Sequence, residues 1–329
     1  MAELRYNPFK KSWTMIASLR QNRPQMPESW CPFCPGSGQV PDDFIVYKYD
    51  NDFPALSSSP PVPDNVHNDF FITAPSYGKC EVILYSKEHT VTLPELSNSH
   101  MRALIDLWVE RNTEIKKDSS IKYIFIFENR GEKVGVTMPH PHGQIYGYPF
   151  IPDKIKSELE NSKEYFSLNN KNLFDVWLQN EQEFGKRIIF ENEHFCVLLP
   201  FFSETVYGMQ IVSKQNIVHI DQFDDKQRNS LGICIRDTVG TLDSLFDIQM
   251  PYMMAMHQAP VNTKDDYSSF YRFHIEFIPV LRSKDKQQFF ASSESGAGAF
   301  CNPTAPEDIA QDLKLAYEKF LSKLKARGE

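Results

Sequence analysis

The apolar segments of this chain occur twice in the same order, and this recurrence limits the folds that the chain can adopt. In the first half we expect a strand, a helix and two strands, at residues 81–85, about 100–117, 122–128 and 144–150,. In the second half the same order is expected at residues 209–212, 224–247, a segment ending at 257, and 273–278,. The repeated order predicts one structural unit built twice, which 329 residues can accommodate,.

The segments between these elements have a simpler interpretation. Asn98 or Ser99 is the expected N-cap of the first helix,. The proline-rich stretch 57–66 predicts an exposed loop,. Residues 152–185 form the expected linker between the halves, with helix around Glu158-Leu159-Glu160. The resulting domains are 1–170 and 171–329.

A run of two histidines precedes the last strand of the first half. In His140-Pro141-His142-Gly143-Gln144, the histidines stand two apart, so an extended backbone places both side chains on one face,. The preceding residues 129–137 form a polar, glycine-containing loop suited to phosphates,. A neutral imidazole is a competent nucleophile at phosphorus. A purely structural role for these histidines is the competing interpretation.

The charge and the apolar runs restrict the partners. The formal net charge of −8 disfavours nucleic acid and anionic membranes, so a polyanionic substrate would need a local cationic pocket,. The sequence contains no apolar run near the roughly 20 residues of a membrane span, and its N-terminus lacks an apolar signal core,. We therefore expect a soluble, cytoplasmic protein with neither membrane nor nucleic acid as a partner.

Two of the six cysteines lie close together, in Trp30-Cys31-Pro32-Phe33-Cys34. This spacing suits a zinc site, for which His89 and His140 are candidate further ligands. A thioredoxin-like redox pair would instead follow a strand and open a helix, and an unliganded pair is the third interpretation. The remaining cysteines are expected to be small buried apolar residues: Cys80, Cys196, Cys234 and Cys301,.

At these residues the chain resembles the galactose-1-phosphate uridylyltransferase family, the transferase branch of the histidine-triad superfamily. The resemblance extends over nearly the whole length. It includes Arg5-Tyr6-Asn7-Pro8, Arg20 to Pro24, Cys31-Pro32-Phe33-Cys34, Asn51 to Leu56, His89 with Thr92 to Leu96, Phe127-Glu128-Asn129, Pro139 to Gln144, and Leu281-Arg282-Ser283.

The resemblance implies an α+β fold with two histidine-triad-like halves, each an antiparallel sheet with packed helices. It implies a homodimer and a ping-pong reaction of UDP-glucose with galactose 1-phosphate. His142 would attack the α-phosphorus and hold UMP as a uridylyl-histidine intermediate. Gln144 stands where triad hydrolases have a third histidine, and an amide can donate a hydrogen bond to a phosphoryl oxygen but cannot act as an acid.

The resemblance also implies residues that contact substrate. Arg20 and Arg23 match phosphate-side arginines, and Asn51 and Asp52 match the nucleoside side. The phosphate loop would comprise Asn129, Gly135, Val136 and Thr137. The sugar contacts, which reach the partner subunit's site, would be Gln288, Phe289, Ser293 and Glu294. Thr137 replaces a serine, Gln288 a common lysine and Ser293 a common tyrosine.

Two metal sites are implied. Cys31, Cys34, His89 and His140 would bind a structural zinc, since four protein ligands leave no open position. Some members bind a second divalent metal, iron or zinc, at positions matched by Glu158, His257, His274 and Glu276. Because Glu276 replaces a histidine, the alternative there is a hydrogen-bonded His–Glu pair without metal.

Two other functions remain open. One is an ADP-glucose phosphorylase-like adenylyltransferase on the same scaffold, favoured by the run from Gly296 to Pro303. Pro141 and Gly143 argue against it, because the plant phosphorylase has serine at both places. The other is a zinc-stabilised binding module without turnover.

Overall fold

The computed structural model describes residues 2–22 and 30–328. Its strands, in chain order, are β1 (Ala2–Asn7), β2 (Ser12–Ala17), β3 (Tyr47–Asp50), β4 (Thr73–Pro75), β5 (Lys79–Leu84), β6 (Tyr123–Arg130), β7 (His142–Tyr148), β8 (Ile188–Glu191), β9 (Phe195–Leu198), β10 (Gln210–Ser213), β11 (Tyr252–His257), β12 (His274–Pro279), β13 (Leu281–Ser283) and β14 (Lys286–Gln287). Its helices are α1 (Asn98–Lys116), α2 (Asp153–Asn169), α3 (Leu173–Phe184), α4 (Asp225–Phe246) and α5 (Pro306–Ala326).

One nine-stranded antiparallel sheet organises the described residues. Its order is β3-β5-β7-β6-β11-β12-β10-β9-β8. A separate three-stranded sheet has the order β2-β1-β4, and β13 pairs with β14. The α+β class is thus confirmed.

The predicted repeat is present, and its two copies share this sheet. Each copy runs strand, helix, strand, strand: β5-α1-β6-β7 in the first half and β10-α4-β11-β12 in the second. The expectation of one sheet per half needs revision, because β6 and β11 pair at the centre and join the two sheets into one. Phe127 of β6 pairs there with Ala255 of β11.

The register of the flanking strands relates the two copies residue by residue. His142 of β7 pairs with Leu84 of β5, and His274 of β12 pairs with Val212 of β10. Gln144 pairs with Phe127, and Glu276 pairs with Ala255. His142 and His274 therefore occupy equivalent positions, as do Gln144 and Glu276.

The helices pack against the sheet, and the apolar core between them contains residues of both halves. Helix α1 begins after Ser97, whose hydroxyl accepts a hydrogen bond from the backbone N–H of His100, so the cap lies one residue before the predicted Asn98,. Asp224 caps α4 and forms a capping box with Gln227,. The largest apolar cluster contains residues of α1, α4 and α5 together with strands of both halves.

The linker and the last strand of the first half can also be compared with their predicted positions. The linker is largely helical, since α2 and α3 occupy most of it. Strand β7 begins at His142, two residues before the predicted start. Of the helices in residues 2–22 and 30–328, none combines the length and apolarity that a membrane-spanning helix requires.

Candidate active site

Strand β7 presents the predicted nucleophile at its first residue. His142, Gln144 and Tyr146 alternate along β7, so their side chains lie on one face of the sheet,. His142 lines two cavities, with volumes of about 850 Å³ and 240 Å³. Gln144 lines the smaller one. The period-two pattern thus places the imidazole and the amide at a common concave surface.

Backbone carbonyls fix the tautomers of both histidines, in opposite senses. The Nδ1–H of His142 donates to the carbonyl oxygen of His140 at 2.8 Å. The Nε2–H of His140 donates to the carbonyl oxygen of Ser86 at 2.8 Å. Because a carbonyl oxygen only accepts, neutral His142 has its lone pair on Nε2, and neutral His140 has its lone pair on Nδ1.

The lone pair of His140 faces two thiols and a further imidazole. His140 Nδ1 lies 3.7 Å from both Cys31 Sγ and Cys34 Sγ, and Cys34 Sγ lies 3.3 Å from His89 Nδ1. The four candidate ligand atoms all lie within 4.8 Å of one another. Tetrahedral zinc with ordinary bond lengths separates sulfur and nitrogen ligands by roughly 3.5 Å. The four residues can therefore hold a metal ion.

The protonation of this cluster also suits a cation. Burial lowers the pKa of His140 to about 4, so its imidazole is neutral, as a metal ligand must be,. Burial and then the hydrogen bond with Cys31 raise the pKa of Cys34 to about 11. A bound cation offsets the cost of deprotonating Cys34, because a coordinated thiol loses its proton. The pair lies in a series of turns rather than at a helix start, so the redox interpretation is wrong,.

The predicted residues of the phosphate loop and of the nucleoside and phosphate sides divide between the two cavities. Those of the phosphate loop line the larger cavity: Asn129, Val136 and Thr137. Those of the nucleoside and phosphate sides line the smaller one: Arg20, Asn51 and Asp52. Thr137 lines both. Gly135 follows a single helical turn at 132–134 and has a φ of 78°, a conformation that glycine adopts without strain,.

The remaining predicted substrate contacts lie elsewhere. Arg23 is outside the described residues. Gln288 accepts a hydrogen bond from the backbone N–H of Val206, and Phe289 is exposed. The Ser293 hydroxyl donates to the carbonyl of Ala299, and Glu294 accepts from the N–H of Ala291. None of these four lines either of the two cavities that His142 lines.

The second predicted cluster is also assembled. The four residues Glu158, His257, His274 and Glu276 bring one candidate ligand atom each to within 4.8 Å of the others. Glu158 lies 2.9 Å from His257 Nδ1, and Lys154 Nζ lies 2.6 Å from Glu276. Burial alone would raise the pKa of Glu158, but the two histidines and Tyr271 outweigh it and lower that pKa to about 2.

A buried carboxyl group beneath the larger cavity was not predicted. Glu128 accepts hydrogen bonds from the hydroxyls of Tyr85 at 3.3 Å and Tyr252 at 3.0 Å. Burial raises its pKa to about 7, although Arg130 and Tyr252 act in the opposite direction. The signal in the sequence was an acidic residue directly after the apolar run from Tyr123 to Phe127. Of the other cysteines, Cys301 is exposed, contrary to expectation, whereas Cys80, Cys196 and Cys234 are buried.

Known proteins resemble the chain over nearly its whole length. Residues 2–152 match the N-terminal domain of galactose-1-phosphate uridyl transferase, and residues 158–294 match its C-terminal domain. A galactose-1-phosphate uridylyltransferase of Thermotoga maritima is 35% identical over 315 residues, which cover 95% of this chain and 98% of that protein. The chain belongs to the galactose-1-phosphate uridylyltransferase family. A probable member from Drosophila melanogaster is 30% identical over 94% of both chains.

Solved structures agree in fold. One titled "Structure of uridylyltransferase" has a TM-score of 0.88 and 27% identity, and the match covers 96% of this chain and 99% of that one. An ADP-glucose phosphorylase of Arabidopsis thaliana has a TM-score of 0.74 and 23% identity, over 95% and 99% of the two chains. At 23% identity, the similarity to this phosphorylase shows a shared fold and nothing more.

Proposed function

We propose that this chain transfers UMP between UDP-glucose and galactose 1-phosphate through a uridylyl group on His142. The observation that supports the proposal most is the orientation of His142, whose Nδ1–H is held by the His140 carbonyl so that Nε2 is the nucleophilic atom. His142 also lines both cavities. The relatives named as galactose-1-phosphate uridylyltransferases support the choice of substrates.

The first half-reaction follows from that tautomer. The Nε2 lone pair of His142 attacks the α-phosphorus of UDP-glucose, and the bond from that phosphorus to the bridging oxygen breaks. Glucose 1-phosphate leaves with the bond electrons. The imidazole acquires a positive charge, which the hydrogen bond from Nδ1–H to the His140 carbonyl stabilises,.

In the second half-reaction, a phosphate oxygen of galactose 1-phosphate attacks the same phosphorus. The bond to Nε2 breaks, UDP-galactose forms, and His142 regains its lone pair. Gln144 favours this transfer over hydrolysis, because an amide can donate to a phosphoryl oxygen but cannot protonate a leaving group or activate water as an acid–base residue can.

The lining residues suggest how the substrate lies. Arg20, Asn51 and Asp52 in the smaller cavity would bind the nucleotide, together with Arg23. Asn129, Gly135, Val136 and Thr137 would bind phosphate oxygens next to His142. The side chains of Gln288, Phe289, Ser293 and Glu294 would contact the hexose from the partner subunit of a homodimer. We also propose a cytoplasmic location.

We propose zinc at Cys31, Cys34, His89 and His140. This ion would be structural, since four protein ligands complete its coordination, and it would anchor the start of β7. At Glu158, His257, His274 and Glu276 the donors suit iron or zinc, but Lys154 already supplies a positive charge to Glu276 at 2.6 Å,. A second metal would have to compete with that ammonium group.

A specific contact bears on the alternative adenylyl-transferring phosphorylase. A Cβ atom added at Gly143 would lie 2.1 Å from the Tyr85 hydroxyl, so serine at this position would not fit here. This favours the uridylyltransferase, while the Gly296–Pro303 run keeps the phosphorylase as the second candidate. A binding module without turnover would form no covalent adduct with a sugar nucleotide.

Intact-mass measurement tests the proposal. The protein is incubated with UDP-glucose or, separately, with ADP-glucose. We expect a UMP-sized adduct from UDP-glucose that is absent in His142→Gly and retained in His67→Gly, an exposed histidine outside both cavities. An AMP adduct alone would identify the phosphorylase, and no adduct from either sugar nucleotide would overturn the covalent mechanism.

A further inference from the structure

Three side chains form a hydrogen-bonded series that ends at Gln144. Arg20 Nη1 donates to the Tyr146 hydroxyl at 3.2 Å, and that hydroxyl donates to Gln144 Oε1 at 3.0 Å. We propose that Tyr146 is a positioning residue that fixes the orientation of the Gln144 amide in the active site. The proposal deepens the proposed function, on which its catalytic consequence rests.

The order of donors in the series sets the orientation of the amide. A guanidinium group has only donors, so the Tyr146 oxygen must accept from Arg20. The Tyr146 O–H donates to Gln144 at 3.0 Å, and of the two ends of that amide only the carbonyl oxygen can accept,. The amide consequently directs Oε1 at Tyr146, and its NH₂ group is the end left to face the smaller cavity that Gln144 and His142 both line.

The surroundings of Tyr146 make it a rigid support. Its residue is 4% exposed, and it lies on β7 between Cys80 of β5 and Phe125 of β6. Its ring packs edge-on against Phe127, with the centroids 5.0 Å apart. Burial raises the pKa of Tyr146, so the hydroxyl keeps the proton that it donates. Few rotamers are available to a ring enclosed in this way.

The orientation matters because the reacting phosphoryl group is an anion. An amide N–H directed at a phosphoryl oxygen stabilises it, whereas a flipped amide would direct Oε1 at the same oxygen and repel it. Without Tyr146, both orientations of Gln144 would be populated, and part of the protein would hold the unproductive one. Arg20 would thus act in two ways, by contact with phosphate and by polarising the hydroxyl that holds Gln144.

The kinetic test compares Tyr146→Phe with Tyr148→Phe, which removes another largely buried hydroxyl from the same face of β7. We expect Tyr146→Phe to lower kcat about tenfold while KM changes by less than about threefold. Tyr148→Phe should retain wild-type kcat. In the Gln144→Ala background, Tyr146→Phe should cause no further loss, because the residue then has no amide to orient. If the two substitutions each lower kcat by their own factor and these factors multiply in the double variant, the proposal is overturned.

A second measurement does not depend on activity. The side-chain NH₂ signals of Gln144 are assigned in ¹⁵N-labelled protein by their loss in Gln144→Ala. Tyr146→Phe should shift these signals, and Tyr148→Phe should leave them in place. Unshifted signals in Tyr146→Phe would contradict the proposal even if the uridylyl transfer is demonstrated. If no adduct forms in the wild-type protein, the proposed function fails, and the shift still decides whether Tyr146 orients the amide.

Discussion

His140 and His142 stand two residues apart, both lie beside Phe33 and line the larger cavity, and they differ in tautomer. The difference arises from which ring nitrogen meets a backbone carbonyl: Nε2 in His140 and Nδ1 in His142. Each carbonyl leaves the lone pair on the other nitrogen, which faces the cysteines in His140 and is the proposed nucleophilic atom in His142. The backbone around these two identical side chains therefore determines which nitrogen of each has the lone pair.

Gly143, between the proposed nucleophile His142 and Gln144, is required by sterics. Gly143→Ala would place a methyl group 2.1 Å from the Tyr85 hydroxyl and 3.1 Å from the Phe127 carbonyl oxygen. We expect it to lower the free energy of unfolding by about 1–3 kcal/mol, as overpacking does. Tyr85→Phe should relieve part of this loss in the double variant. Gly296→Ala, where a methyl group meets open space, is the control for urea denaturation. Wild-type stability of Gly143→Ala would contradict the clash.

Glu128 should make stability depend on pH. Its pKa is about 7 in the folded protein and 4.5 in the ordinary reference state, so the folded protein binds more protons between these values. The free energy of unfolding contributed by Glu128 therefore falls as pH rises from 4.5 to 7. Glu128→Gln should remove this fall, so its stability relative to wild type should increase by roughly 3 kcal/mol across the interval.

Urea denaturation at several pH values in that interval measures the effect. Glu132→Gln, at an exposed acidic residue of the same cavity wall, should retain the wild-type pH dependence. Parallel pH profiles for wild type and Glu128→Gln would show that burial does not shift the pKa of Glu128 as described.

At the scale of elements, periodicity and capping residues predicted α1, α4 and the strands of the two repeats, but not α5. The start of β7 was misplaced because Pro141 and Gly143 are poor strand residues, yet the pairing of His142 with Leu84 outweighs this preference,. Strand pairing also accounts for what the sequence could not show at the site. Glu128 lies in β6, Tyr252 in β11 and Tyr85 directly after β5, and the pairing of β6 with β11 brings Glu128 and Tyr252 together.

The start of β7 should depend on the bound metal. His140 precedes β7 by two residues and is linked to the Cys31–Cys34 turns through the cluster. We expect one zinc per chain, and we expect Cys34→Ser or chelation to remove it and to lower the free energy of unfolding by more than about 3 kcal/mol. Adduct formation at His142 should slow in parallel. Cys301→Ser, at an exposed cysteine, should retain the metal. A folded, fully stable protein without zinc would contradict this dependence.

The whole molecule is a duplicated unit whose copies have diverged at equivalent positions. His274 occupies the place of His142, and its Nδ1–H donates to the carbonyl of Arg272 at 3.0 Å, just as His142 donates to His140. Glu276 occupies the place of Gln144. The second copy keeps the backbone arrangement but buries its histidine beside Glu158, where it forms part of the second cluster.

The two halves, proposed here as 1–170 and 171–329, should not fold independently. Strands β6 and β11 pair along their length at the centre of the sheet, and Glu158 of α2 contacts His257 of β11. The main apolar cluster contains residues of both halves, among them Trp108 and Leu231. Cutting the chain at residue 170 would expose this cluster and the edge of β6 to water.

We therefore expect the intact chain to unfold in a single transition. Fluorescence of Trp108 in α1 and of Trp177 in α3, each retained alone by Trp→Phe replacement of the others, should report the same urea midpoint. The fragment 1–170 should give a collapsed amide NMR spectrum by itself and a dispersed one when 171–329 is added, because the second half restores the partner of β6 and the rest of the core. Two separate midpoints, or a dispersed spectrum of 1–170 alone, would show instead that duplication produced two autonomous domains.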